Sequence, residues 1–203
     1  MNWIQHPLRL EGERIILEPL QQNHLPLLTA IAKNKTIWEH LPLDGADEQT
    51  LIGNLKQAIL KRSYGEQYPF VVVEKNTGNI CGSTRLFELF PEHKKLEIGW
   101  TWYAPQYWGN GYNLECKLLL LTYCFETLGV QRVQLKTRTT NLRSRAAIVK
   151  LGAKQEGILR KDRIMPGSLV RDTVVFSIID DEWPEAKTRL RRLMEERYGG
   201  QSD

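Results

Sequence analysis

Residues 97–113 read EIGWTWYAPQYWGNGYN, and this stretch decides the fold of the chain. Its first part, residues 97–103, is rich in aromatic and β-branched residues and is predicted to be a strand. Apolar residues then recur at helical spacing over residues 113–128. Gly109 and Gly111 lie in the short loop between these elements, where glycine lets the main chain approach an anion closely. The free amides and positive dipole end of the helix make this loop a candidate phosphate site, although a tight turn would need the same glycines.

Strand and helix patterns alternate along the rest of the chain, without repeats or Pro/Gly-rich linkers. Asn23 is predicted to cap the first helix, because its side-chain oxygen can accept from the free amides of the first turn. The predicted strands are residues 14–18, 69–74, 79–89, 97–103, 131–138 and 170–179. The predicted helices are residues 23–32, 47–61, 113–128, 144–151 and 184–197. This order predicts a mixed α/β domain around one central sheet.

Length and composition exclude several classes of protein. A chain of 203 residues is long enough for one domain with a substantial core, but not obviously for two. With 41% hydrophobic and 26% charged residues, the composition is that of a folded soluble protein and not of a disordered one. No apolar run approaches the roughly 20 residues that span a bilayer, and the first residues have no secretory pattern. A cytoplasmic protein without a membrane partner is therefore expected.

Charged residues and metal-ligand types give no strong signal for nucleic acid or for a metal. The net charge is only +4, and the basic clusters at residues 136–145, 160–163 and 189–192 lack the interleaved aromatic residues of a nucleic-acid-binding face. They fit a polyanionic small molecule or a solvated surface. The four histidines have no metal-ligand spacing, and the three cysteines are too few and too apolar in context for zinc or disulfides.

Four short motifs occur in a specific order. They are Glu97-x-Gly99-Trp100, Pro105-Gln106-x-x-Gly109-x-Gly111, Asn141-x-x-Ser144 and Leu151-Gly152-Ala153. Together they resemble the Gcn5-related N-acetyltransferase (GNAT) superfamily, and within it the branch of RimJ/RimL-type N-terminal acetyltransferases of ribosomal proteins. The resemblance implies one α/β GNAT domain over residues 9–183, with a mixed central sheet that is splayed at the cofactor site and flanked by helices. Residues 184–203 would form a charged C-terminal helix and tail.

The resemblance also implies acetyl-coenzyme A as cosubstrate and no metal. The glycine loop matches that superfamily's pyrophosphate loop, and it has neither the third glycine of a dinucleotide fingerprint nor the ending of a P-loop. Main-chain groups near Trp102 and Tyr103 would pair with the pantetheine arm of the cofactor. Asn141 would contact the same arm, or cap the following helix, or do both. The loop residues implied in binding are Gln106, Trp108, Gly109, Asn110, Gly111, Tyr112 and Asn113.

Two residues are implied in catalysis. Glu97 is best placed in the sequence to deprotonate an amine, directly or through water; alternatively it is a strand carboxylate that faces solvent or pairs with Lys94 or Lys95. Many members of the superfamily carry a tyrosine that protonates the leaving thiolate, but Ile148 occupies that position here. The RimL-like branch is expected to use a serine at the position of Ser144, because a hydroxyl needs only hydrogen-bond reach of the thiolate.

Four neighbouring residues have two interpretations each. Arg143 and Arg145 would face the 3′-phosphate or adenine end of the cofactor, or they would lie on a solvated helix face. Trp100 and Trp102 are expected to share one strand face, either within the core or as a wall of the acceptor cleft.

The acceptor amine is the least determined element. An N-terminal amine has a pKa of about 7.7–8.0 against about 10.4 for lysine, so a lysine costs roughly 3–4 kcal/mol more to deprotonate. With Glu97 as the one evident base, a protein or peptide N-terminus is favoured. The alternatives are a small-molecule amine and a noncatalytic acyl-CoA-binding scaffold. Residues 38–44 and 88–93 are expected to wall the acceptor site, and the oligomeric state stays open, with a homodimer as one alternative.

Overall fold

One eight-stranded sheet runs through the computed structural model, which describes residues 3–198 apart from the side chain of Pro166. The strands are β1 (Leu10–Glu11), β2 (Ile15–Pro19), β3 (Gln67–Glu74), β4 (Ile80–Phe90), β5 (Lys95–Tyr103), β6 (Arg132–Arg138), β7 (Lys154–Ile164) and β8 (Val170–Ile179). Their order is β1-β2-β3-β4-β5-β6-β8-β7. The helices are α1 (Leu25–Ile31), α2 (Glu48–Ser63), α3 (Tyr112–Thr122), α4 (Leu142–Lys150) and α5 (Trp183–Tyr198). Only β5 and β6 pair in parallel within the described chain, so the sheet is mixed.

The parallel strands β5 and β6 are joined over only part of their length. Residues 95–97 pair with residues 132–134, and within the described chain the pairing goes no further. On its other side, β5 stays paired with β4 as far as Tyr103. The two strands therefore diverge after Glu97 and Gln134 and leave a cleft between their carboxyl-terminal halves. This is the splayed sheet that the resemblance implies.

The two faces of the sheet bury separate apolar cores, because neighbouring residues of a strand point to opposite faces. Phe70 of β3 lies in the larger core, whereas Val71 lies in the smaller one. The larger core also contains Leu96, Leu120, Phe176 and Leu190, and the smaller one contains Leu28, Leu55 and Trp102. Each fully buried leucine stabilises the fold by about 1.5–3 kcal/mol. We call the side of the larger core the α3 face and the side of the smaller core the α2 face.

The C-terminal helix α5 fixes the position of α3. The buried carboxylate of Glu115 in α3 accepts hydrogen bonds from the Arg14 amide at 2.9 Å and from the Tyr198 hydroxyl at 2.8 Å. The guanidinium of Arg14 lies 4.6 Å from the ring centroid of Tyr198. Trp183, at the start of α5, belongs to the larger core. Because α3 directly follows the glycine loop, these contacts also hold the loop in place.

The predicted elements are present, with differences at four points. The short strand β1 is not predicted. Asn23 does not cap the first helix: a 3₁₀ turn covers Gln22–His24, and α1 begins at Leu25 with His24 at its N-cap position. The helix predicted over residues 113–128 is α-helical only as far as Thr122, the last residue of α3, and continues as a π-helical turn over Tyr123–Thr127. Strand β7 is not predicted, because its residues are almost all exposed and show no apolar period.

Two remaining expectations concern the chain ends and the membrane. Residues 199–203 of the expected C-terminal tail lie outside the described residues. No helix within residues 3–198 combines the length and the apolar character needed to cross a membrane.

Candidate active site

A cleft of about 480 Å³ occupies the divergence between β5 and β6. Its walls come from the carboxyl-terminal part of β5, the loop before α3, β6, the first turns of α4, and the segment between α1 and α2. Leu114 and Lys117 of α3 line it from one side, and Ile37 and Leu41 line it from the other. The cleft therefore reaches both the α3 face and the α2 face of the sheet.

The loop before α3 presents main-chain amides to the cleft. Gly109 and Gly111 have φ angles of +79° and +94°, which side-chain-bearing residues rarely adopt. A Cβ at Gly111 would lie 2.7 Å from the ring of Tyr198. The amides of Gly109, Asn110 and Gly111 donate to no protein acceptor within residues 3–198. Three neighbouring free amides at the start of a helix form an anion-binding site.

Two side chains brace this loop. The indole nitrogen of Trp108 donates to the Tyr103 carbonyl at 2.8 Å, and the Asn110 side-chain oxygen accepts from the Tyr112 amide at 3.3 Å. Trp108, Asn110 and Asn113 line the cleft, whereas Tyr112 is buried and does not. Tyr112 therefore supports the loop from behind, and its amide is already engaged.

Two arginines from distant segments lie at this end of the cleft. The guanidinium of Arg143 in α4 lies 4.5 Å from the ring centroid of Trp108. Arg197 of α5 lines the cleft, and its Nη2 lies 3.8 Å from where a Cβ at Gly109 would be. Arg145 instead donates to a main-chain carbonyl at 3.2 Å and does not line the cleft. Of the two arginines that the sequence offers in α4, the structure thus brings only Arg143 to the site, and it adds Arg197, which was not predicted.

The edge of β5 that faces β6 is free beyond Glu97 within the described chain. Trp102 and Tyr103 lie in this part of the strand and line the cleft. The Tyr103 carbonyl already accepts from the Trp108 indole. The remaining main-chain groups on this edge can pair with an extended ligand, as added strands do at an exposed sheet edge. Gln106, which follows the strand, is exposed and does not line the cleft.

The two tryptophans of β5 lie on the α2 face. Trp102 is buried in the smaller core, with its ring centroid 5.1 Å from that of Trp38. Trp100 has a φ of +53° at an irregularity in the β4–β5 pairing, and the guanidinium of Arg85 lies 4.7 Å from its ring centroid. Both tryptophans also line the cleft. Trp102 is therefore a core residue and a cleft wall at the same time.

Glu97 lies where β5 and β6 begin to diverge. Its side chain is on the α2 face, because both chain neighbours belong to the larger core. It is only 4% exposed, accepts a hydrogen bond from Gln134 Nε2 at 3.0 Å, and forms an ion pair with Lys136 Nζ at 3.0 Å. The alternatives of a solvent-facing carboxylate or a pair with Lys94 or Lys95 are therefore wrong. Glu97 is the one carboxylate among the described residues that lines the cleft.

Asn141 and Ser144 meet at the start of α4. The side-chain oxygen of Asn141 accepts from the Ser144 amide at 3.0 Å, which confirms that Asn141 caps this helix. Both residues line the cleft. Ile148, one turn later, is buried and also lines it, so Ser144 is the hydroxyl that α4 offers.

Lys117 is a buried amine that was not predicted. It lines the cleft from α3 and is 5% exposed, and its Nζ donates to Thr101 Oγ1 at 2.7 Å. Burial lowers its pKa, because the charged ammonium loses its hydration. A signal was available in the sequence: Lys117 shares a helix stripe with Leu114 and Leu121, and charged residues are rare on an apolar stripe.

The acceptor walls agree with the prediction only in part. His40, Leu41 and Pro42 line the cleft, as expected for the segment 38–44. Residues 88–93 do not line it, so this second wall is wrong. Arg163 of β7 and Arg171 of β8 line the cleft instead. The β7–β8 hairpin is not predicted, although β8 is, because the sequence of β7 has no apolar period.

The cysteines lie apart from the cleft, and residues of metal-ligand types form no metal-binding group in the described part of the chain. Within residues 3–198 no three His, Cys, Asp or Glu side chains are grouped as metal ligands. All three cysteines are buried free thiols outside the cleft. Burial raises the pKa of Cys81 to about 12 and also raises the pKa of Cys116 and Cys124. The reactive thiolate form is therefore disfavoured at all three.

A mixed sheet splayed at its parallel pair, with free amides at the start of the next helix, defines an acyl-CoA-dependent transferase of the type that the motifs resemble. The family model described as "Acetyltransferase (GNAT) domain" matches residues 14–154, which is more than half of the chain. The chain belongs to the GNAT family of acetyltransferases and is an acetyl-CoA-dependent N-acetyltransferase.

Relatives with similar sequences carry matching names. "Uncharacterized N-acetyltransferase YoaA" of Bacillus subtilis is 25% identical over 177 residues, which are 84% of this chain and 96% of YoaA. "Putative ribosomal N-acetyltransferase YdaF" of the same organism is 33% identical over 110 residues, which are 54% of this chain and 59% of YdaF.

Solved structures share the fold over nearly the whole chain. A GCN5-related N-acetyltransferase from Brucella melitensis has a TM-score of 0.84 and 27% identity, and the match covers 93% of this chain and 86% of that one. RimJ of Mycobacterium smegmatis, solved in complex with CoA-disulfide, has a TM-score of 0.77 and 22% identity, and the match covers 92% of each chain. The RimJ likeness supports the fold alone.

Proposed function

We propose that this protein transfers the acetyl group of acetyl-CoA to the amine at the N-terminus of a protein or peptide, by direct attack and without a covalent enzyme intermediate. One observation carries the proposal: the buried carboxylate of Glu97 lies at the strand divergence, in a cleft that reaches both faces of the sheet. The cofactor would enter from the α3 face, where the free amides lie, and the acceptor amine would enter from the α2 face.

The residues present fit the cofactor. The free amides of Gly109, Asn110 and Gly111 would hold its pyrophosphate, and Arg143 and Arg197 would offset the phosphate charge. Trp108 and Asn113 would complete this end, and Gln106 and Tyr112 would contribute through the shape of the loop. When bound, acetyl-CoA supplies an acyl group activated as a thioester.

The thioester region would be formed by β5 and α4. The free edge of β5 at Trp102 and Tyr103 would pair with the pantetheine arm, and the side-chain amide of Asn141 would contact the same arm. The fixed strand edge and the capped helix hold these groups in place before the ligand arrives, which lowers the entropy cost of orienting the thioester.

Two side chains would move protons. Glu97 would take the proton of the acceptor amine, directly or through water, while Gln134 and Lys136 hold its carboxylate at the divergence. Ser144 would donate a proton to the departing thiolate from the first turn of α4. A well-placed general acid or base typically accelerates such a step by about 10²–10⁴-fold.

The acceptor class follows from the number of bases. Glu97 is the one carboxylate that lines the cleft in the described part of the chain, so an amine that is already partly neutral near pH 7 suits this site. The reference pKa of an N-terminal amine is about 2.4–2.7 units below that of lysine, so a larger share of it is neutral near pH 7 and it needs less help from the base. The relative named "Putative ribosomal N-acetyltransferase YdaF" supports a protein as the acceptor.

The test measures thiol release from acetyl-CoA with three acceptor sets. These are peptides with a free N-terminus, the same peptides with a blocked N-terminus and an internal lysine, and small polyamines or aminoglycosides. We expect the highest kcat/KM with free N-termini, and mass spectrometry should place the acetyl group on the α-amine. A higher kcat/KM for small amines would overturn the acceptor class, and cofactor binding without thiol release for any acceptor would favour a noncatalytic scaffold.

A further inference from the structure

Arg171, at the start of β8, is a buried cation without a partner. It is 9% exposed, it lines the cleft, and its buried Nε has no hydrogen-bond partner. Within residues 3–198 its guanidinium takes part in no hydrogen bond or ion pair. Burial lowers its pKa, as do the positive charges of Arg163 and Arg138, while the more distant carboxylates of Asp162 and Glu97 raise it. A buried charge that no carboxylate contacts directly is costly, and a bound anion would lower that cost.

The strand pattern places Arg171 on the same face as the proposed base. Val174, Phe176 and Ile178 of β8 belong to the larger core on the α3 face. Alternation along the strand therefore puts Arg171 on the α2 face, which is also the face of Glu97. The phosphate-binding loop leads into α3 on the opposite face. Arg171 thus lies on the side from which the acceptor amine would enter.

The other cations on this side already have partners. Lys136 is paired with Glu97 at 3.0 Å. Arg163 is the register partner of Arg171 across the β7–β8 pair, and its Nε lies 3.6 Å from an Asp162 oxygen. Arg171 also lines the cleft on this face, but in the described chain no carboxylate contacts its guanidinium.

We infer that Arg171, flanked by Arg163, forms a carboxylate-binding subsite for the acceptor, so the preferred acceptor carries a carboxylate close to its amine. The inference rests on the proposed function and narrows it to peptides with an acidic residue next to the N-terminal one. A planar guanidinium binds a carboxylate through two parallel hydrogen bonds. The same positive charge disfavours polycationic acceptors such as polyamines, which would meet like charge there.

The experiment compares two peptides that differ only in a glutamate or a glutamine at the second position. We expect the wild-type protein to acetylate the glutamate peptide with a kcat/KM about tenfold or more above that of the glutamine peptide, since hydrogen bonds to charged groups are stronger than neutral ones. Arg171→Met should lower kcat/KM for the glutamate peptide far more than for the glutamine peptide, so that the two values become about equal. Arg171→Lys should keep part of the preference. Arg160→Met removes an exposed charge from the same hairpin and should keep all of it.

Two further measurements separate the possible outcomes. Arg171→Met should retain the wild-type affinity for CoA and should not lower Tm, because it removes a buried charge that no carboxylate contacts directly. A fall in both the affinity and Tm would mark a folding defect, and Arg171→Lys would then be the variant that tests the subsite. Equal rates for the two peptides in the wild-type protein would overturn the subsite and leave the proposed function standing. A third outcome is that the wild-type protein acetylates free glutamate but neither its diamide nor any peptide, and that Arg171→Met loses this activity. That outcome would support the carboxylate subsite and would show that the acceptor is not a peptide.

Discussion

We propose that one end of the cleft binds the cofactor phosphates (the phosphate end) and the other binds the acceptor amine (the acceptor end), and these two ends are built in different ways. The phosphate end consists of main-chain amides from residues 109–111, which are contiguous in sequence. Arg143 and Arg197 lie beside it. The acceptor end consists of side chains on four strands: Glu97 on β5, Lys136 on β6, Arg163 on β7 and Arg171 on β8. A main-chain site depends on backbone conformation, whereas a side-chain site depends on how distant strands pair.

This difference determines which substitutions each end tolerates. The amides of the loop stay in place whatever side chain a neighbouring residue carries, but a Cβ at a position with positive φ strains the loop itself. At the acceptor end none of the four charged residues has a positive φ, and the identity of each side chain decides its chemistry. The predictions that follow separate these two kinds of site.

The largest expected effect is at the phosphate end. Gly109→Asp should weaken CoA binding by about a hundredfold or more, because a carboxylate at the amide site repels phosphate and the bonds lost are to a charged group. A Cβ at this position meets only Arg197 at 3.8 Å, so steric damage is small. Isothermal titration calorimetry measures the affinity. Gly78→Asp is the matched control, since Gly78 lies in a turn with a φ of +72° and has no atom within 4 Å of an added Cβ. If Gly78→Asp lost as much affinity for CoA as Gly109→Asp, backbone strain and not the carboxylate charge would be the cause.

The next effect concerns the base at the acceptor end. Glu97→Gln keeps the shape of the side chain but removes its charge, and it should lower kcat by about 10²–10³-fold. The affinity for CoA should stay close to that of the wild type, because Glu97 lies on the face opposite the loop. Stopped-flow thiol release measures the rate. The control is Glu156→Gln, which removes a carboxylate paired with Arg132 outside the cleft and should keep the wild-type kcat. Full activity of Glu97→Gln across the pH range would exclude a role of Glu97 as the base.

A smaller effect is expected for the proton donor between the two ends. Ser144→Ala should lower kcat by about tenfold and change KM for acetyl-CoA less, because the proposed partner of the hydroxyl is the leaving thiolate and not the bound cofactor. Ser144→Thr keeps a hydroxyl and should recover part of the rate. The cap that Asn141 makes uses the Ser144 amide, so α4 should persist in both variants. If KM rises while kcat stays the same, Ser144 is instead a cofactor contact.

The contrast between the ends also explains what the sequence could predict. Gly109 and Gly111 could be assigned to an anion site because a strand, a short loop and an apolar helix follow one another locally. Asn141 could be predicted as a cap for the same reason, since the cap and its amide are three residues apart. The splayed sheet followed from the resemblance of the motifs, not from any local period.

The acceptor end could not be predicted in this way. The partners of Glu97 depend on the parallel pairing of β5 with β6, which sets Glu97 opposite Gln134 and brings Lys136 to the same face. Arg171 reaches the cleft through a hairpin whose first strand is exposed along nearly its whole length. Contacts of this kind depend on strand order and register, and a single sequence does not contain them.

The smallest effect concerns Lys117, which lines the cleft from α3 and tests whether a buried charge there costs stability. Its lowered pKa means that the unfolded chain binds the Lys117 proton over a pH range in which the folded protein does not, so this group makes the fold less stable as pH falls below the pKa of the unfolded lysine. Lys117→Met should remove this penalty. The free energy of unfolding of the variant relative to the wild type should rise as pH falls and approach a constant difference at high pH, as urea titrations at several pH values would show.

The matched control for this prediction is Lys56→Met in α2, where the side chain is exposed and Met is a comparable helix former. It should change stability little and without a pH trend of the same sign. A pH-independent difference for Lys117→Met would mean that the amine keeps its ordinary pKa when folded, through water that enters from the cleft. Such a result would assign Lys117 to the hydrated part of the cleft, on its α3 side.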